Sequence, residues 1–187
     1  MLNDILLSNK PSEIIRKNKN TIFEIIPELK ICDGFNQHND YHIYDVLEHI
    51  LHVLDEVENN YVLKAAALFH DIGKPNCFTI DEQGIGHFYG HWNESNKIFN
   101  KYANMFNLTQ DEINLINDLI FYHDLNLNEN LDKIKTVFKD NLYLLLSLKK
   151  ADILAQNPKY FNRLNDIDNL LKNNLKWGIL WLEKLKL

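Results

Sequence analysis

The chain is short of cysteine, of helix breakers and of positive charge, and each shortage excludes something. Its two cysteines, Cys32 and Cys77, have no CxxC spacing. They read as reduced thiols of a cytoplasmic protein rather than a disulfide framework. Four prolines and six glycines in 187 residues leave no low-complexity linker, and no internal repeat is present. The formal charge of −6 implies no broad basic face, which argues against extensive nucleic-acid contact while leaving a local patch open. The opening MLNDILLSNKPSEIIRKNK has too short an apolar run for a signal peptide or a membrane helix. The composition that remains, 45% hydrophobic and 25% charged, is that of a soluble globular protein with one sizeable core.

What is present is helical patterning. Residues 1–40 carry short helical signals, with Pro11-Ser12-Glu13 opening one helix and Pro27 stopping the apolar turns of Thr21–Ile26. These predict small helices packed on a larger bundle. Tyr41–Glu58 reads as one amphipathic helix, with Val46, Ile50, Val53, Leu54 and Val57 as its stripe and His42 and His49 at one edge. The stretch AAALFHDIGKP, Ala65–Pro75, is the element around which the rest is arranged. Tyr61–Ile72 is apolar on nearly every side, which predicts a buried helix capped by Asn60, with Gly73 as its C′ residue. Phe78–Ile80 and Gly86–Phe88 predict a small hairpin. Gly90-His91 leads into a helix through Phe106, and Thr109-Gln110-Asp111-Glu112 is a capping-box start for the next. Leu127–Val137 reads as loop plus a short helix, and Asn141–Gln156 as a strongly apolar helix ending near Asp152. Two amphipathic helices close the chain over 158–187, with Trp177, Leu180, Trp181 and Leu185 read as packing. The fold class is therefore all-α, a single helical-bundle domain over 1–187.

The polar outliers on these apolar helices are His49, His70, Asp71, His123 and Asp152, with His91 opening a helix. A buried carboxylate such as Asp71 is costly unless a cation faces it. Nitrogen and oxygen donors without cysteine suit Zn, Fe, Mn or Ni. Convergence on an ion would satisfy both Asp71 and Asp152.

His49, then His70-Asp71, then Asp152 resembles the H…HD…D pattern of the HD-domain metal-dependent phosphohydrolases. The segments YHIYDVLEHILHVLD, AAALFHDIGKP, GHFYGHWNES and KKADILAQNP are similar to the HD portion of bacterial CCA-adding tRNA nucleotidyltransferases, over about residues 12–160. No paired-Asp strand with a Gly-rich loop precedes them, so nucleotide addition is not carried over. The resemblance implies an HD-domain helical bundle. It also implies hydrolysis of phosphomonoesters or cyclic phosphodiesters of small nucleotides by a metal-activated water. His49, His70, Asp71 and Asp152 would be the ligands of a divalent ion (Mn, Fe, Ni, Zn or Mg). His91 and His123 match the additional histidines of two-metal relatives, or else contact substrate. Asp71 and Lys74 would be catalytic, and Lys74 and His87 would bind substrate phosphate. His42 and Asp45 read as substrate wall or ordinary helix start. Two other readings stand beside this one. One is a non-catalytic module sensing a phosphorylated ligand. The other is an RNA-end-processing protein using a basic strip of Lys172, Lys176, Lys184 and Lys186.

Overall fold

The computed structural model describes residues 2–172. Four short helices come first: α1 (Leu2–Leu6), α2 (Pro11–Lys17), α3 (Lys19–Ile25) and α4 (Pro27–Cys32). Pro11 and Pro27 each sit at the first position of a helix, where a missing N–H costs nothing, so Pro27 ends α3 and begins α4 at once. Ile15, Ile22, Ile26 and Leu29 are fully buried beneath this layer. A polar clamp also fixes it. Arg16 pairs with Glu48 at 2.8 Å, and the Ser12 hydroxyl donates to Asp55 at 2.6 Å.

Helix α5 spans Val46–Glu56, starting five residues later than the apolar stripe predicts. Side-chain capping explains the delay. Asn39 Oδ1 accepts from the amides of Tyr41 and His42, and the Asp45 carboxylate accepts from Glu48 N at 2.8 Å. These local bonds compete successfully with the helical ladder. Helix α6 (Tyr61–Phe69) is capped by Asn60, as expected, and every residue from Val62 to Phe69 is buried. Ala65, Ala66 and Ala67 keep it thin where α5 and α8 pack against it. Its one basic residue, Lys64, is buried and donates to the Leu54 carbonyl near the end of α5 at 2.6 Å.

The chain then makes a 3-10 turn and a hairpin of β1 (Thr79–Ile80) and β2 (Gly86–His87), antiparallel with Thr79 opposite His87. Helices α7 (His91–Tyr102) and α8 (Gln110–Tyr122) follow, and the Thr109–Glu112 capping box is formed in full. Residues 127–138 form one helix, α9 (Leu127–Phe138), rather than loop plus a short helix. Asn126 caps it, and Leu127, Ile134 and Phe138 bury one face at helical spacing. Helix α10 (Leu142–Leu154) packs against α5, α6, α8 and α9. A 3-10 turn, Pro158–Arg163, leads into helical backbone at 164–172. The expected helix over Asn174–Leu187, with Trp177, Trp181, Lys176, Lys184 and Lys186, lies outside the described residues. The architecture is an all-α bundle with one small hairpin. Among the described residues no helix is long and apolar enough to cross a membrane.

Candidate metal centre

Four imidazoles converge at the end of the buried helix, each placed by a helix terminus or first turn. His70 directly follows α6, His123 directly follows α8, His91 is the first residue of α7, and His49 lies in the first turn of α5. All four are buried. Each gives its Nδ1 to a backbone carbonyl. His70 uses Ala67 O at 2.8 Å, His91 uses Phe88 O at 2.9 Å, and His123 uses Ile120 O at 2.6 Å. His49 reaches Ala155 O at the end of α10, 3.3 Å away. A carbonyl can only accept, so each Nδ1 carries the proton and each Nε2 is turned inward.

The Nε2 atoms meet in two pairs around Asp71. His49 and His70 stand 3.4 Å apart, 3.2 Å and 3.3 Å from Asp71 Oδ2. His91 and His123 stand 3.3 Å apart, 3.2 Å and 3.5 Å from Asp71 Oδ1. Asp152 adds its Oδ1 to the first pair, 3.0 Å from His49 Nε2. One carboxylate thus faces a different pair of imidazoles with each oxygen. Asp71 Oδ1 is buried and makes no hydrogen bond among the described residues, despite the two nearby nitrogens. An orphaned carboxylate oxygen beside two inward lone-pair nitrogens is costly as an all-protein arrangement and fits a divalent cation. Groups drawn from these His and Asp residues could hold a metal ion.

The electrostatics follow from this packing. Burial disfavours charge on His49, but the carboxylates of Asp152 and Asp71 outweigh it and raise the imidazole to about 9. Burial would raise Asp71 and Asp152. Lys74 and His70 instead hold Asp71 well below the usual carboxylate range, and His49 does the same for Asp152. His123 is pushed down, chiefly by burial.

Lys74 is buried against Asp71 Oδ2 at 2.6 Å. It also donates to Gln37 Oε1 at 2.9 Å and meets His42 Nε2 at 3.3 Å. His42 gives its Nδ1 proton to Asn39, so its Nε2 accepts. Burial and the Lys74 charge push its imidazole down to about 2, which keeps that nitrogen free to accept. All three ammonium protons are therefore engaged.

Gly73 has φ −81°, so it is not the left-handed C′ residue that the sequence predicts. Its smallness has another cause. A Cβ there would lie 2.5 Å from Ser95 N and 2.6 Å from His91 O, so only glycine lets the start of α7 approach. Gly73 N donates to the buried Ser95 hydroxyl at 3.0 Å, which fixes that approach.

Supporting residues that sequence reasoning did not single out are Gln37, Ser95, Lys149 and Gln156. Gln156 donates to Asp152 Oδ1 at 3.1 Å and accepts from Arg163 at 3.0 Å. Its spacing of four residues from Asp152 is a signal that could have revealed it. Lys149 is buried and donates to the His123 carbonyl and to Leu125 O, tying down the end of α8. Burial lowers its ammonium to about 8.

Asp71, Lys74, His91, His123 and Asp152 open onto a cleft of about 260 Å³. The hairpin and Trp92 form its other wall, including His87 and the exposed Tyr89. Of the site residues expected from the sequence, Asp71, Lys74, His87, His91, His123 and Asp152 line this cleft, and His49 and His70 lie against Asp71 Oδ2. His38 and His52 stay apart, against Phe78 and Tyr44 respectively. Asp45 caps α5.

No protein-family model matches the chain, and no curated protein matches it. The case for a function therefore rests on the residues and their geometry.

Proposed function

We propose that this protein is an HD-type metal-dependent phosphohydrolase acting on small nucleotides or related phosphate esters. The observation that carries the proposal is the division of Asp71 between two inward-facing imidazole pairs. His49, His70, Asp71 and Asp152 would hold one divalent ion, and His91, His123 and Asp71 a second. Such ions supply Lewis-acid polarisation of a phosphoryl oxygen and a lowered pKa for the attacking water.

The remaining roles belong to the chain's own side chains. The carbonyls of Ala67, Phe88, Ile120 and Ala155 fix the imidazole tautomers, so the donor set is organised before any ligand arrives. Lys74 is held at the cleft wall by Asp71, Gln37 and His42, and its ammonium attracts phosphate without leaving those partners. Gln156 orients the Asp152 carboxylate. Tyr89 and Trp92 offer aromatic surface on which a base could stack.

The size and charge of the site favour a small substrate. A polymer needs a track of cations along its backbone, and binding built on that track weakens steeply with salt. This chain is net acidic at −6. Among the described residues, the one Lys or Arg side chain lining the cleft is Lys74, which is already partnered.

The test is phosphate release by protein loaded with Mn, Fe, Ni, Zn or Mg. The substrates are nucleoside monophosphates, 2′,3′-cyclic nucleotides and labelled tRNA, at low and near-physiological salt. Preference for a small nucleotide at both salts is the expected result. Faster, salt-resistant cleavage of tRNA would favour the RNA-processing reading. Tight nucleotide binding without turnover would favour the sensing module.

A further inference from the structure

Hydrolysis of an ester of an ordinary alcohol requires more than an activated water. The departing oxygen is strongly basic and needs a proton as the P–O bond breaks. Most groups around the cleft cannot give one. His49, His70, His91 and His123 have their Nδ1 protons on backbone carbonyls and their Nε2 atoms turned to Asp71. His42 accepts from Lys74, and the three Lys74 protons are engaged.

His87 stands apart from this set. It lies on β2, lines the same cleft, and has a side chain about a third exposed at 31%. Its Nε2 is 2.8 Å from Asp81 Oδ2 across the hairpin. Its Nδ1 points to the Tyr89 hydroxyl, a long contact of 3.4 Å. The two rings are near parallel, 8° apart. Asp81 is itself fixed, because its Oδ1 accepts from the amides of Gln83 and Ile85 at 3.0 and 2.9 Å. That turn is closed by Gly84 at φ +81°. The hairpin is anchored in turn. Gly86 N donates to His38 O at 2.7 Å, and a Cβ on Gly86 would lie 2.4 Å from Gln37 O. The segment that braces Lys74 through Gln37 therefore also sets the depth of β2 and of His87.

We infer that His87, oriented by Asp81, is the general acid that protonates the leaving oxygen, with Tyr89 at the mouth of the same path. The inference rests on the phosphohydrolase reading above. In the reacting state His87 carries both protons, with Nε2–H on Asp81 and Nδ1–H directed at the leaving oxygen. Water oxygen bonds to phosphorus, the bond from phosphorus to the leaving oxygen breaks, and the Nδ1 proton passes to the departing alkoxide. The products are alcohol and hydrogen phosphate. His87 is left neutral with its Nε2–H still on Asp81. It regains its proton from solvent, which balances the proton lost by the attacking water. Its exposure permits that exchange, which the buried imidazoles could not make.

Leaving-group dependence tests this. The metal-loaded wild type and the variants His87→Gln and Asp81→Asn are compared at saturating substrate. The substrates are 4-nitrophenyl phosphate, whose phenolate departs without a proton, and the fastest nucleotide in the panel. For His87→Gln the ratio of aryl-ester to nucleotide kcat should rise by about 100-fold or more. Asp81→Asn should move it the same way by less, and the metal content of both should match wild type. Equal losses on the two esters, or no loss on either, would overturn the assignment and leave His87 a binding or structural residue. Wild-type activity confined to the aryl ester would also overturn it. A wild type that releases phosphate from no ester overturns the phosphohydrolase reading itself, and this inference with it.

Discussion

His91 Nε2 and His123 Nε2 face each other at 3.3 Å, and each ring has already given its Nδ1 proton to the carbonyl three residues before it. With those Nδ1 protons on the carbonyls, the two Nε2 atoms present lone pair to lone pair, with the orphaned Asp71 Oδ1 beside them. A cation held by these residues would remove the repulsion. The protein purified under mild conditions should therefore carry about two divalent ions per chain. His123→Ala should retain about one. Elemental analysis alongside protein quantitation decides the matter. A stoichiometry of one that His123→Ala leaves unchanged would return His91 and His123 to substrate contacts.

The position of Asp71 between the two imidazole pairs separates it from Asp152. Asp71 serves both imidazole pairs, whereas Asp152 touches only His49 of the first pair. Asp71→Asn should lose both ions and all hydrolysis with its helical circular dichroism intact. Asp152→Asn should lose one ion only. Equal losses in the two variants would contradict that division of roles.

Protons should compete with metal at His49. Its imidazole is raised to about 9, burial opposing the shift and the Asp152 and Asp71 carboxylates prevailing. The sign follows from linkage. In metal-free protein this imidazolium contributes stability that is fully present below the unfolded value of about 6.5 and lost as pH rises through about 9. Metal affinity runs the other way, rising about tenfold per pH unit until it levels near pH 9. Calorimetry at pH 7 in buffers of different ionisation enthalpy should report about one proton released as the first ion binds. Uptake that releases no proton between pH 6 and 9 would sink this account.

Gly73→Ala probes the close approach at the start of α7. The added methyl would meet Ser95 N at 2.5 Å and His91 O at 2.6 Å, both backbone atoms that cannot rotate away. A destabilisation of about 1–3 kcal/mol is expected, as for other overpacked sites. Because His91 opens that helix, the variant should lose the ion bound with His123 in preference to the one bound with His49. Thermal melts and metal content measured on the same sample test both parts.

Lys74→Ala removes a charge that touches Asp71 Oδ2 at 2.6 Å. Loss of its field at the cleft should lower kcat/KM by about 10- to 100-fold, the cost of roughly 1.5–3 kcal/mol for a charged hydrogen bond. Metal content should be retained, since Lys74 is not among the donors. A variant as active as wild type would leave Lys74 a purely structural ion pair.

Much of this was legible in the chain itself. Helical periodicity is a local property, and it marked α6, α8 and α10 along with their apolar faces. The Thr109–Glu112 box and the Asn60 cap are short-range bonds between residues three apart, so spacing alone announced them. His49, His70, Asp71, His91, His123 and Asp152 stood out because ionisable side chains on buried faces demand partners. Local rules also set the errors. Apolar spacing ran α5 back to Tyr41, where Asn39 and Asp45 take the amides instead. A glycine after a helix suggested a left-handed cap, where the real demand was clearance for Ser95 and His91 more than fifteen residues away.

What the sequence determined is therefore the kind of chemistry available: helices, and a set of nitrogen and oxygen donors at their ends. Only the tertiary structure decided how those donors are shared. It sorted four histidines into two pairs and gave each pair one oxygen of Asp71. It buried Lys74 among Asp71, Gln37 and His42, and it set His87 and Asp81 across a hairpin from each other. The physical reason is that a helical repeat specifies which face a side chain occupies. The distance between side chains on different helices depends on how the helices cross and how closely they approach. Here that approach is set by Ala65, Ala66, Ala67 and Gly73, residues that matter for the volume they do not fill.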